Sequence, residues 1–276
     1  MNVIRAEFFR YRKSIYSRIS IIVVVLLAVS VCLILRYAGH GISETLLSSL
    51  GFSDSVIAAI SRNTRKITYI YSAMSAVDVI MLVAGFSVVM HICSDYDMNT
   101  IRYEQQRSNS RIGCYMARLV AACLYMTLIF VVYAFLSLAF SFFLPDHTDI
   151  KETGAFTSGM DITCISSAIF MILLEIVLVW GFTAFMFMIC ELIRNQTVAV
   201  AVFIILIIFV TPGISVICNI LDVGIVGENI WIVSMLTAYS DAVITLDKAI
   251  MLCVGGGLYF VISSVLGSII YGKRRL

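Results

Sequence analysis

The sequence predicts an all-α, polytopic membrane protein, and three observations carry that prediction. Hydrophobic residues fill 61% of the 276 positions and charged residues only 13%, where an ordinary globular domain runs at roughly 45–50% and 25%. Mean hydropathy is +1.01. The apolar residues gather into six stretches, most of them close to the roughly 20 residues that a helix needs to cross about 30 Å of hydrocarbon. Prolines are scarce, with only Pro145 and Pro212 in the chain. The sustained polar/apolar alternation that a transmembrane barrel requires is missing.

Taken in order, residues 1–18 form a basic amphipathic segment. At about 100° per residue, Ile4, Phe8, Tyr11 and Ile15 share one face, and Arg5, Arg10, Arg12 and Lys13 spread over the rest. Such a helix lies in the plane of the membrane interface, or serves simply as a positive anchor for the span that follows. The first span, Ile19–Leu35, is followed by no small-residue cleavage site and reads as retained. An outer segment over 37–71 holds two short helical signatures, beginning at Ser43 and Ser55, both residues suited to capping.

The second span is Ser72–Cys93, and a polar stretch over 95–114 leads to the third, Met116–Leu144. Cys164–Glu191 forms the fourth. A minimal connector, Arg194 to Gln196, joins it to the fifth, Thr197–Ile220, which Pro212-Gly213 interrupts near its outer end. Residues 221–248 are too polar to span and too apolar for a free loop. Ile230 to Leu236 predicts short outer helices tucked against the bilayer, with Trp231 and Tyr239 suited to the aromatic belt. Ala249–Tyr271 closes the series, and 1–276 reads as one transmembrane domain.

Charge sets the predicted orientation. With the N-terminus inside, thirteen of the nineteen Lys and Arg residues fall on the cytoplasmic side, including Arg10, Arg118 and Arg194. This is the positive-inside pattern, and six spans then bring both termini to the cytoplasm. Most acids of the later outer segments, such as Asp146, Asp149 and Glu228, fall on the opposite side. The eight cysteines show no C-x-x-C spacing and lie mostly within or beside spans, where a thiol acts as a small hydrophobe.

Motifs for energy coupling or catalysis are missing. Gly267 to Lys273 approaches a phosphate-binding loop but lacks the final Ser or Thr and sits inside the last span. Gly255, Gly256 and Gly257 read instead as sites of close helix packing. His40, His91 and His147 show no ligand spacing, and no nucleophile has a partnered base in sequence. The expectation is a non-enzyme without metal or cofactor, embedded in the bilayer and with no nucleic-acid partner.

Two carboxylates, Asp78 and Glu175, fall within spans. A charged carboxylate at mid-bilayer costs about 2.5–3.5 kcal/mol on insertion scales, so such groups face a cavity, a bundle interior or a partner. They are candidates for a translocation path or dimer interface, or equally for protonated acids hydrogen-bonded within the bundle. The inner stretch from Ser94 to Arg111 mixes charges and hydroxyls. It suits either a hydrated connector or a docking surface for a soluble partner.

The chain resembles the type-2 permeases of ATP-binding-cassette transporters, the six-span subunits of peptide, lantibiotic and drug exporters. The resemblance rests on the architecture and on Asp97-Met98-Asn99-Thr100-Ile101-Arg102 followed by Ser110-Arg111. In that family an acidic residue precedes a Gly-Thr-Ile-Arg-like run, and a Ser-Arg pair opens span three. Asn99 stands where glycine is common, and both residues tolerate a left-handed backbone. The resemblance implies a coupling helix with Asp97, Asn99, Thr100, Ile101, Arg102 and Glu104 as contacts to a separate ATPase subunit, and a second permease copy or relative as partner. Asp78 and Glu175 would line the path or the interface. The alternatives are a non-transporting six-span protein, either a sensor or a stand-alone immunity protein, and an ion-coupled carrier that uses Asp78 and Glu175. Carriers of that kind show repeated broken helices, whereas this sequence shows one interruption, at Pro212.

Overall fold

A computed structural model describes residues 2–39, 77–97, 110–141, 164–220, 231–237 and 246–273. Among these residues every element is helical: α1 (Asn2–Lys13), α2 (Ile15–Gly39), α3 (Val77–Asp97), α4 (Arg111–Ser141), α5 (Cys164–Ile193), α6 (Gln196–Ile205), α7 (Thr211–Ile220), α8 (Ile232–Thr237) and α9 (Leu246–Lys273). A π-helical turn, Leu206–Val210, joins α6 to α7. All six apolar stretches of the sequence are therefore helical in their described parts.

Among the described residues, four helices are long and apolar enough to cross a membrane: 111–140, 172–193, 196–218 and 247–273. Helices α1 and α2 meet at a 65° bend, and counted as one they make a fifth. Within α3 the apolar stretch among the described residues is Ile80–Tyr96, and 72–76 of the predicted second span lie outside them. The outer segment 40–71, residues 98–109, and the acids Asp146, Asp149 and Glu228 lie outside the described residues.

Helix α5 is the centre of the bundle and packs on α9, α4, α3 and α8. Its closest partner is α9, and glycine makes that approach feasible. A Cβ at Gly181 would stand 2.6 Å from the Gly256 carbonyl oxygen, and one at Gly256 would meet the Leu178 backbone at 3.3 Å. Backbone therefore lies on backbone, as small residues permit between helices in lipid. Gly255 makes room for the Met235 side chain of α8, whereas Gly257 faces open space. The Trp180 indole N–H donates to Thr127 Oγ1 at 2.7 Å and ties α5 to α4. Cys93, Cys114, Cys123 and Cys190 are buried as free thiols among these apolar side chains.

The connector after α5 is as short as the sequence predicts. Arg194 takes φ 58°, the left-handed conformation common just past a helix end. Asn195 then caps α6, its side-chain oxygen accepting from the Thr197 and Val198 amides at 3.0 and 3.3 Å.

Pro212 does not break the fifth apolar helix. The π turn ahead of it widens the helix and absorbs the missing N–H. The Leu206 carbonyl accepts the Thr211 backbone N–H and, at 3.1 Å, the Thr211 hydroxyl as well. Trp231, suited in sequence to the aromatic belt, packs on the bundle. Its N–H donates to Thr211 Oγ1 at 3.0 Å, and its ring meets Phe185 edge-on at 5.8 Å. Ile232 to Met235 are buried against α5, α3 and α9. This short helix thus sits in the bundle because its apolar side chains find protein rather than lipid.

Substituting Gly181→Ala should destabilise the protein by about 1–3 kcal/mol through forced separation of α5 and α9. Gly257→Ala, with nothing near its Cβ, should leave the thermal unfolding midpoint in detergent unchanged or raised.

Candidate functional site

One end of the bundle carries a buried cluster of ionised side chains drawn from four helices. Glu7 and Arg10 come from α1, His91 and Asp95 from the last turns of α3, Arg118 from about two turns into α4, and Glu191 from the last turn of α5. Apart from Arg10, all of these residues are buried.

Local sequence delivers each group. On α1 the buried face holds Glu7 and Tyr11, one turn apart, while Arg5, Arg12 and Lys13 are exposed. Ile15, expected on the apolar face, is instead 70% exposed at the start of α2. The face buried by this helix is therefore half polar, and it turns toward α4 rather than toward lipid alone. Ser110 opens α4, its hydroxyl accepting from the Gly113 amide at 3.0 Å. This fixes the helix start at the predicted Ser110-Arg111 pair and with it the depth of Arg118.

Arg118 is the hub. Its Nη2 donates to Asp95 Oδ2 at 2.7 Å, Nη1 lies 3.7 Å from Glu191 Oε1, and Nε lies 4.0 Å from Glu7 Oε1. Below the guanidinium, the Phe187 ring centroid lies 5.9 Å away. A planar fork with five donors can serve several carboxylates in this way, whereas a lysine cannot. Arg10 adds a second bridge, to Glu7 at 3.1 Å and to the other oxygen of Asp95. The Tyr96 hydroxyl donates to Glu191, and Arg194 covers the Tyr96 ring at 5.5 Å. Tyr11 lies between His91 and Tyr125, with ring centroids 4.0 and 4.9 Å away.

The charges nearly close. Glu7, Asp95 and Glu191 bring three negative charges, and Arg10 and Arg118 two positive. His91 Nε2 stands 3.9 Å from Glu7 Oε2 and completes the balance whenever it is protonated. Burial works to raise the Glu7 pKa, but His91, Arg118 and Arg10 outweigh it and hold the carboxyl down to about 2. Glu7, His91 and Asp95 also present ligand atoms within 4.8 Å of one another, the size of a metal cage. Their carboxylates already serve two guanidinium groups, so a divalent cation there would meet two like charges. The donor set fits ion pairing and not a metal.

Of the residues singled out in sequence, Asp97 is the final residue of α3, next to the cluster, and only its backbone is described. Asn99, Thr100, Ile101, Arg102 and Glu104 lie outside the described residues. Asp78 belongs to the first turn of α3, at the opposite end from Asp95, and only its backbone is described. Glu175 is fully buried midway along α5. At 1.5 Å per residue, Asp78 and Glu175 are each about 25 Å along their helices from the cluster. The cluster itself escapes sequence reasoning, because its pairs are as far apart as Arg10 and Asp95 or Tyr96 and Glu191. One signal was there: ionisable residues at the same predicted end of three apolar helices, and a lone acid in an otherwise basic α1.

Arg118→Ala should destabilise the protein by about 3–5 kcal/mol, since it strands buried carboxylates. Arg118→Lys should recover only part of that loss, as thermal unfolding of the detergent-solubilised protein would show. Acid titration supplies a second measurement. The folded Glu7 pKa of about 2 lies below its ordinary 4.5, so its stabilisation is complete above about pH 4.5 and disappears as pH falls toward 2. The unfolding midpoint should drop through that window, and Glu7→Gln should flatten the drop.

No protein-family model matches this chain, and neither does any curated protein, so its function has to be read from its own residues.

Proposed function

We propose that this protein is the transmembrane permease subunit of an ATP-binding-cassette exporter, driven by a separate ATPase subunit that docks on residues 95–114. The observation that carries this reading is the ion pair between Asp95 and Arg118 at 2.7 Å. Those residues stand at the two roots of the docking segment, at the end of α3 and near the start of α4. Glu7 and Glu191 tie the same guanidinium to α1 and α5. A push on the segment would therefore move four helices together, because buried ion pairs are costly to separate.

On this reading six spans cross the cell membrane with both termini in the cytoplasm. Two permeases, identical or related, pair around a path for an amphipathic peptide or drug. Asp97, Asn99, Thr100, Ile101, Arg102 and Glu104 contact the ATPase, and Asp78 and Glu175 line the path or the interface between permeases. The bundle carries no phosphate-binding loop of its own, which supports a borrowed engine.

Affinity purification of the tagged full chain from native membranes tests the proposal. An ATPase of the binding-cassette class should co-elute, and the double variant Thr100→Ala, Arg102→Glu should lower its recovery at least about tenfold, the loss of roughly 1.4 kcal/mol or more. Recovery without such an ATPase from intact membranes would favour the sensor or immunity reading. Export abolished by Glu175→Gln with no ATPase bound would favour the ion-coupled carrier.

A further inference from the structure

A groove of about 420 Å³ opens beside the ion cluster, where α1 bends by 65° into α2. Its near wall holds Phe9, Arg10, Lys13, Ser14 and Tyr16, and its far wall includes Ser94 and Asp95. We propose that this groove binds the phosphate of an anionic lipid headgroup in the leaflet that α1 lies upon. The proposal does not depend on the transport reading, since it requires only a membrane protein with an interfacial helix.

Charge in the groove favours an anion. Asp95 stands in the wall, but one of its oxygens is held by Arg10 and the other by Arg118. Among the described residues Lys13 is held by no carboxylate, and its ammonium lies 4.7 Å over the Phe9 ring. This leaves Lys13 as the cation best placed to meet a phosphate. The helix dipole adds nothing here, because α1 ends at Lys13 and its carbonyl end disfavours anions. The Lys13 ammonium must therefore outweigh it, and its place at the groove wall is suited to that.

Position and size narrow the occupant to a lipid. If α2 crosses the bilayer, a 65° bend leaves α1 close to the interface plane, where an amphipathic helix meets headgroups. Phe9 is exposed and Tyr16 half-buried at the rim, giving apolar surface for the first carbons of acyl chains. The volume is that of a small-molecule site rather than of a bare ion. Ser14, the residue between the two helices, gives a hydroxyl at the apex. A bound headgroup would bridge α1 and α2 at the elbow and fix the angle between them.

The test uses the full chain in dodecyl maltoside, with lipid retention followed by native mass spectrometry. Dioleoylphosphatidylglycerol should be retained at least about fivefold better than dioleoylphosphatidylcholine, since each basic residue near a headgroup contributes about 1 kcal/mol. Lys13→Glu should lower that retention about tenfold, and the milder Lys13→Gln about fivefold. Arg12→Glu makes the same charge change on an equally exposed residue outside the groove and should change retention less than about twofold. Equal losses from Arg12→Glu and Lys13→Glu would overturn the proposal in favour of general surface charge. So would equal retention of the two lipids, or equal thermal protection by inorganic phosphate alone.

Discussion

The arrangement of this bundle depends on one buried guanidinium. Arg118 faces three carboxylates from three other helices, and removing an ion of that kind from water is costly unless its partners are fixed in place. The helices that carry those partners are thereby constrained in depth and rotation. A sliding step of one turn along α3 would carry Asp95 about 5.4 Å away from Arg118. Apolar packing in lipid imposes no comparable penalty, because hydrocarbon is as favourable a neighbour as leucine. Register at this end of the bundle is thus set by charge, and farther along α5 by close glycine contact.

These two devices divide the molecule. At the charged end α1, α3, α4 and α5 are tied by directional bonds and by the aromatic stack of Tyr11 between His91 and Tyr125. Away from it, α5 and α9 touch backbone to backbone through Gly181 and Gly256, flanked by the ring pairs Trp180–Phe260 and Phe185–Tyr259. The helix formed by α6 and α7 stands largely outside the core, with Val198, Ile205, Phe209 and Ile217 exposed. In a bilayer such faces are met by lipid or by another apolar helix. The end of the bundle richest in directional bonds is therefore the one that holds Asp95 and Arg118.

Much of the fold was legible because its determinants are local. Apolar runs of the right length gave the helices, the Ser110-Arg111 pair marked where α4 starts, and Arg194-Asn195 marked the tight turn after α5. Gly256 was legible as a packing site, since glycine in a membrane helix has few other uses. What could not be read were the faces. The apolar stripe Ile4, Phe8, Tyr11 and Ile15 pointed α1 at lipid, but a membrane helix with protein on one side gains by turning its single acid inward to an arginine. Asp78 and Glu175 drew attention because a lone charge in a span is costly in isolation. The groups that pair, Glu7, Asp95, Arg118 and Glu191, sat at span borders, where a charge in sequence looks ordinary. Pairing is non-local, and a single sequence does not record it.

The π turn before Pro212 has a geometric consequence for the rest of that span. Each extra residue in a helix advances its phase by about 100°, so the wide turn at Leu206–Val210 sets α7 in a different rotational frame from α6. Thr211 stands where the two frames meet, and the indole of Trp231 is its hydrogen-bond donor. The small helix that follows Trp231 is in this way mechanically geared to the span: if one shifts, the azimuth of the other has to change with it.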